Sequence, residues 1–348
     1  MHRDIGIDIA KGIAILSMIT AHFSEGEILA KPFHVVPYFD GASAFVLLSG
    51  LLVGIVHRRK IDVAQSFRSS RDQLTRRVVM IYLCQLLISL VALALVAAGR
   101  SDAAKLDMAD SAWQVVILRY LPPGGDVLSL YFVLMVAVLG LLPLMRAGYG
   151  RWVLAASLAL YIAAVVAPYA LWNYWASWQA LFVPALVAGW YWTEKDIAAR
   201  IQRRIVSLVA AAVVVAVVSI GFKMLAGDSV VQAMLIDKSA FGPGRLVVAW
   251  IFVPALYVVI RFLLGRLSVE WFRPLELAGT RSLDSYVIQA CSVMLIPLVI
   301  ALPWGTATET ILALGVFGIC WAWAEFRRRF GIDKLHRAPV AIRRAVTA

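Results

Sequence analysis

The sequence predicts an all-α protein: a polytopic integral membrane helix bundle of about ten transmembrane helices, with both termini cytoplasmic. Three observations predict it. The chain is 62% hydrophobic and 16% charged, against roughly half apolar and about a quarter charged in soluble domains, so it carries too few charges to coat a globule. Its apolar residues gather into runs that suit spans of ~20 residues. Its Lys and Arg lie between those runs and favour one side. In lipid a backbone must satisfy its own hydrogen bonds, and a helix does so within a single segment.

Taken in order, the runs are 5–24, 40–56, 78–98, 126–145, 152–169, 179–192, 205–225, 244–264, 282–301 and 306–324. The run 179–192 is short and needs Tyr174–Trp178 to complete a span. With the N-terminus cytoplasmic, 25 of the 33 Lys and Arg fall on the inner side and seven on the outer, with Lys11 inside the first span. The net charge of +12 therefore marks a face toward anionic lipid and implies no nucleic-acid partner. Residues 1–330 read as one transmembrane domain and 331–348 as a basic cytoplasmic tail. The first run continues to Phe23 without a small-residue cleavage site and holds Lys11 and His22, so it reads as a retained span. Cys84, Cys291 and Cys320 each lie in an apolar run without C-x-x-C spacing and read as small buried hydrophobes, so no metal site is expected.

Ionisable residues inside a span are costly and mark function by default. The first span holds Asp8, Lys11 and His22. At ~100° per residue, Lys11 and His22 share one face, roughly 16 Å apart along the axis, and Asp8 is three residues from Lys11. Snorkelling to the inner surface accounts for Asp8 and Lys11 singly, and a boundary position for His22; their common stripe points to a passage through the bundle. Asp40, opening the second span at the depth of His22, is placed to orient the imidazole as a base. Ser49, Gly50 and Gly54 read as close helix packing. Asp126, Asn173 and Gln179 join the outer cluster, while Arg281, Ser282 and Asp284 lie with Lys11 at the inner end. The outer aromatics Tyr169, Trp172, Tyr174, Trp175 and Trp178 read either as an interfacial belt or as sugar-stacking platforms.

These segments resemble the acyltransferase-3 superfamily of membrane proteins, and more closely its OpgC-type branch, associated with succinylation of osmoregulated periplasmic glucans. The resemblance is carried by D-x-x-[KR] with a downstream histidine (Asp8, Lys11, His22), the segment Asp40–Gly50, the segment Asp126–Tyr131, Asn173 through Trp178-Gln179, and Leu275–Leu283. It implies a cytoplasmic acyl-CoA donor, with succinyl-CoA among the candidates, and a glycan hydroxyl acceptor outside, in the bacterial cytoplasmic (inner) membrane. It places Lys11 where the family has a donor-holding arginine and His22 where it has a catalytic histidine. The residue before that histidine, commonly Asp in this branch, is Ala21 here.

Pattern and resemblance together predict an O-acyltransferase that binds no resident cofactor and uses acyl-CoA as co-substrate. His22 and Asp40 are the expected catalytic pair, acting either through general-base attack or through an acyl-histidine. Lys11, Arg76, Arg77 and Arg281 are expected to hold the donor, although plain positive-inside anchoring also accounts for the arginines. Asp126, Asn173, Trp178 and Gln179 are expected on the acceptor. The competing class is a glycan or lipid-intermediate transporter or flippase, which performs no covalent step.

Overall fold

The computed structural model describes residues 4–24, 28–64, 67–100, 112–118, 121–122, 124–167, 173–225, 234–300 and 305–332. Among the described residues the regular structure is helix alone. In order these are α1 (Ile5–Phe23), α2 (Lys31–His34), α3 (Gly41–Ala64), α4 (Phe67–Ala97), α5 (Ala112–Val116), α6 (Asp126–Arg146) and α7 (Gly150–Val166). They continue as α8 (Asn173–Trp190), α9 (Ile197–Arg203), α10 (Ile205–Leu225), α11 (Pro243–Leu264), α12 (Arg273–Thr280), α13 (Ser282–Val299) and α14 (Thr306–Arg329).

Each apolar run forms the body of a helix. Among the described residues eight helices are long and apolar enough to cross a membrane: α1, α3, α4, α6, α10, α11, α13 and α14. The runs at 152–169 and 179–192 form α7 and α8, of 17 and 18 residues. Helix α8 does begin at Asn173, so the segment before the short run completes it. It is packed between α3 and α7 and can carry more polar residues than a helix facing lipid.

One stretch differs from expectation. The segment 57–77, read as a loop, is mostly helical: α3 continues to Ala64 and α4 starts at Phe67. The extensions pair as a hairpin through His57 Nδ1 and Ser70 Oγ at 2.6 Å and through Lys60 Nζ donating to Gln73 Oε1 at 2.6 Å. Charge set these residues outside the hydrocarbon, but a helix ends only where its backbone pattern breaks.

Helix α1 sits at the centre, against α3, α11, α12, α13 and α14. The most extensive packing is between α3 and α8. A Cβ on Gly50 would lie 2.2 Å from the Phe182 carbonyl oxygen, and one on Gly54 2.2 Å from that of Leu186, so the backbones meet directly, as the small-residue spacing predicted. Helix α10 is peripheral, with 6% of its apolar window buried. One end of the bundle is rich in arginine and tied together by ion pairs. Asp284 Oδ2 accepts from Arg327 and, at 3.1 Å, from Trp323 Nε1. Glu325 gathers Arg273, Arg328 and Arg329. Asp4 caps α1 through Gly6 N at 3.0 Å and accepts from the Tyr257 hydroxyl at 2.8 Å.

The contact of α1 with α12 is equally close: a Cβ on Gly279 would stand 1.9 Å from the Asp8 carbonyl oxygen. Gly279→Ala should therefore lower stability by ~1–3 kcal/mol or more through overpacking. Gly140→Ala in α6, where nothing lies within 4 Å, should stabilise by about 0.5–1 kcal/mol. Thermal unfolding of the detergent-solubilised protein measures both.

Candidate functional site

At the arginine-rich half, Asp8 and Lys11 are buried at 0% and 3% exposure, so neither snorkels to the surface. Lys11 Nζ lies 4.9 Å from the centroid of the Phe45 ring. From the other side, Arg77 of α4 donates to the Tyr131 hydroxyl at 3.3 Å, with its guanidinium 5.9 Å from that ring's centroid. Phe45 and Tyr131 meet edge-on at 6.0 Å, and Tyr286 and Phe182 complete the cluster. Two cations thus converge on one aromatic wall, where ring quadrupoles favour them. Arg77 keeps contact with solvent while touching Tyr131. Arg76, ~100° further round the helix, is exposed and is not brought to this cluster. Arg281 is half-buried at the bend between α12 and α13.

At the opposite end, Asp40 caps α3. Its Oδ1 accepts from Ser43 N at 2.8 Å and from Ser43 Oγ at 2.6 Å. Its Oδ2 faces Arg245 at 3.4 Å and Lys238 at 3.8 Å. Arg245 also donates to the Ile236 carbonyl at 2.6 Å. Gly41, next to Asp40, abuts Met18 of α1, and His22 lies one turn beyond Met18 on the same face, ~6 Å further out. His22 is exposed there. Asp126, also exposed, opens α6. The Tyr286 hydroxyl donates to the Gly124 carbonyl, which sets Tyr286 beside the start of α6, and Tyr174, in the first turn of α8, packs on Trp178 at 5.9 Å. Asp40 and Asp126 thus open α3 and α6 toward the same end, with His22 a turn outward of the α3 terminus.

This zone is recessed. A Cβ on Gly125 would touch Gln85 Nε2 at 2.7 Å, so Asp126 starts level with Gln85, midway along α4. Near it, both amide atoms of Gln85, Ser89 Oγ and Gln289 Oε1 are buried without a hydrogen-bond partner among the described residues. Such groups are costly and uncommon. Gln85 is eight residues from Arg77, ~12 Å along the helix.

Three expectations are corrected. Between Lys11 and His22 the stripe of α1 is filled by Ile15, Met18 and Ile19, all buried in the core; a cavity of about 440 Å³ beside α1 is lined instead by its neighbouring face, Ile13, Ala14 and Ser17, with apolar residues of α10 and α11. Trp178 is neither belt nor platform: it is 1% exposed, packed at a tilt against Phe241 with ring centroids 4.5 Å apart, and donates through Nε1 to the Lys238 carbonyl at 3.2 Å. The Gln179 amide is used at both ends, accepting from Ser157 Oγ at 2.6 Å and donating to the Ser157 carbonyl at 2.8 Å, which clamps α8 to α7. Asn173 belongs to α8 by its backbone; its side chain lies outside the described residues, as do Tyr169, Trp172 and the tail beyond Ile332.

Sequence reasoning missed Arg245, Tyr131, Tyr286, Gln85 and Gln289. Signals for them existed: Arg245 is a cation on the arginine-poor side, and Gln85 with Ser89, like Ser282 with Ser285 and Gln289, repeats at helical spacing inside a span.

A family model described as OpgC protein matches residues 3–331, nearly the whole chain. No curated protein and no solved structure matches.

Asp40→Asn keeps a side-chain oxygen for the Ser43 amide, whereas Asp40→Ala loses the cap as well as the charge facing Arg245. The Ala variant should be the less stable of the two by about 1 kcal/mol, read as a difference in thermal midpoint.

Proposed function

The chain belongs to the OpgC family, and on that premise we propose that it is a membrane-bound O-acyltransferase, moving an acyl group, succinyl in the first instance, from cytoplasmic acyl-CoA to a hydroxyl of a glucan on the far side of the bacterial inner membrane. Family membership makes it a glucan-modifying membrane protein; donor, acceptor and direction are our reading. The observation that carries it is the separation of two chemistries at two depths. Lys11 and Arg77 stand at the aromatic cluster. The carboxylates Asp40 and Asp126 open α3 and α6 toward the other end, with the exposed His22 toward that same end. The step from Arg77 to the level of Asp126, ~12 Å along α4, is of the scale of an extended pantetheine arm.

In this reading both termini and the arginine-rich end are cytoplasmic, about ten helices span the bilayer, and the anionic donor enters among basic side chains. Arg77 and Lys11 hold it, with Arg281 at the entrance and Arg76 acting only at long range. The thioester passes Tyr131 and reaches the recess. His22 removes the proton from an acceptor hydroxyl, whose oxygen bonds to the thioester carbonyl carbon. Collapse of the tetrahedral intermediate breaks the carbon–sulfur bond, and the proton held by the imidazole goes to the departing thiolate. Asp40 sets the position of the α3 terminus beneath His22. Asp126 and Tyr174 offer hydrogen bonds to the sugar. Trp178 and Gln179 support this site from within the core and need not touch the acceptor. Because Ile15 and Ile19 close the α1 stripe, the donor path runs by Arg77, Tyr131 and Gln85.

Inside-out vesicles enclosing glucan and supplied with labelled succinyl-CoA should yield ester-linked label on the glucan. His22→Ala should lower that rate by about 100-fold or more with membrane insertion unchanged. Full activity in the variant overturns the role of His22, and glucan or lipid movement without esterification identifies the flippase instead.

A further inference from the structure

We propose that the hollow formed by α9, the start of α10 and α11 is a binding site for the phosphate headgroup of an anionic phospholipid. The cavity measures about 610 Å³ and is lined by Arg200, Arg203, Arg204, Ile201, Leu208 and Pro254. The three arginines occupy positions i, i+3 and i+4 and so share one face of a helical turn. Like charges gathered at one hollow repel one another unless an anion joins them.

Six other arginines at the same end are held by carboxylates. Arg58 pairs with Asp62 and Glu194, Arg261 with Asp4, Arg273, Arg328 and Arg329 with Glu325, and Arg327 with Asp284. No carboxylate among the described residues pairs with Arg200, Arg203 or Arg204. Plain anchoring by positive charge explains arginines spread along an interface; it does not explain three that line one apolar-floored cavity.

The place of the hollow selects a lipid over the acyl donor. Helix α10 is the least buried of the candidate spans, exposing Val206, Val213 and Val217, and its principal neighbour is α11. Arginine heads at the end of this helix, with Leu208 and Pro254 deeper along the same wall, match a phosphate followed by the start of an acyl chain. A free phosphate shares the headgroup chemistry but gains nothing from the apolar floor.

The test uses the full-length purified protein in detergent, with thermal unfolding followed after adding phosphatidylglycerol, phosphatidylcholine or inorganic phosphate. Phosphatidylglycerol should raise the midpoint by about 3 °C or more and the other two should not. Arg200→Gln/Arg203→Gln/Arg204→Gln should abolish the shift, and Arg146→Gln/Arg151→Gln/Arg266→Gln, which removes equal charge elsewhere, should keep it. Equal shifts in both variants, an equal effect of phosphatidylcholine, or a full effect of phosphate alone each overturns the proposal. If the first variant does not fold, a phosphatidylglycerol with a photoreactive headgroup decides on the wild type: labelling within 200–208 supports the site, and labelling only elsewhere overturns it.

Discussion

Enclosing Asp8 and Lys11 in a bundle that lipid surrounds is the constraint on which the rest of the architecture depends. An ionisable group facing hydrocarbon is costly, so the helix that bears two of them must be covered on every side. That is what α3, α11, α12, α13 and α14 do for α1. Gly12 and Gly279 let the covering be close, since α12 approaches until its backbone meets that of α1. Helix α10 shows the converse. It carries Lys223 alone among ionisable residues, near its far end, and is left at the edge, where its valines meet lipid.

The same economy shapes the electrostatics. At the arginine-rich end six arginines meet carboxylates, which offsets their charge. Lys11 and Arg77 also meet ring faces, whose quadrupoles favour cations, and Arg77 reaches solvent beside the Phe45–Tyr131 cluster. Toward the other end Asp126 is exposed and Asp40 faces two cations, Arg245 and Lys238, so an anionic molecule is drawn mainly by the excess of arginine at the first end.

Helices were legible because each apolar run has one solution in lipid, and the runs at 5–24 and 205–225 agree with α1 and α10 almost to the residue. The stretch 57–77 was not, because charge reports depth in the membrane and says little about whether a backbone stays helical. Within the site, the burial of Lys11 follows from its place inside the first span, yet sequence could not separate Arg77 from Arg76: both are arginines on one helix, and only the direction from which α6 packs decides which meets Tyr131. Gln179 and Trp178 misled for a related reason. A polar or amphipathic side chain near the end of a span looks alike whether it faces a cavity or another helix, and Ser157 and Phe241, which absorb them, are distant in sequence. Asp40 was singled out for its carboxylate; its capping of α3 follows from its place before Gly41-Ala-Ser43 and is a local property.

The depth of the Asp126 zone bears on why transfer to a sugar would compete with hydrolysis in the proposed reaction. Helix α4 runs twelve residues past Gln85 to Ala97, ~18 Å, and the Tyr82 hydroxyl ties the α5 segment to this wall through the Val116 carbonyl at 2.9 Å. Asp126 thus lies well short of the far end of α4, bounded by Gly124, Gly125 and Tyr286. A thioester arriving here from the other side would meet few solvent molecules in the productive orientation, while a hydroxyl on a polymer held by Asp126 and Tyr174 has its entropy of approach already spent. The Gln85 amide and the Gln289 Oε1, which lack a protein partner among the described residues, fit the same picture. A pantetheine arm carries two amide groups, and side-chain amides set along its path replace the water those groups give up on entering the bundle.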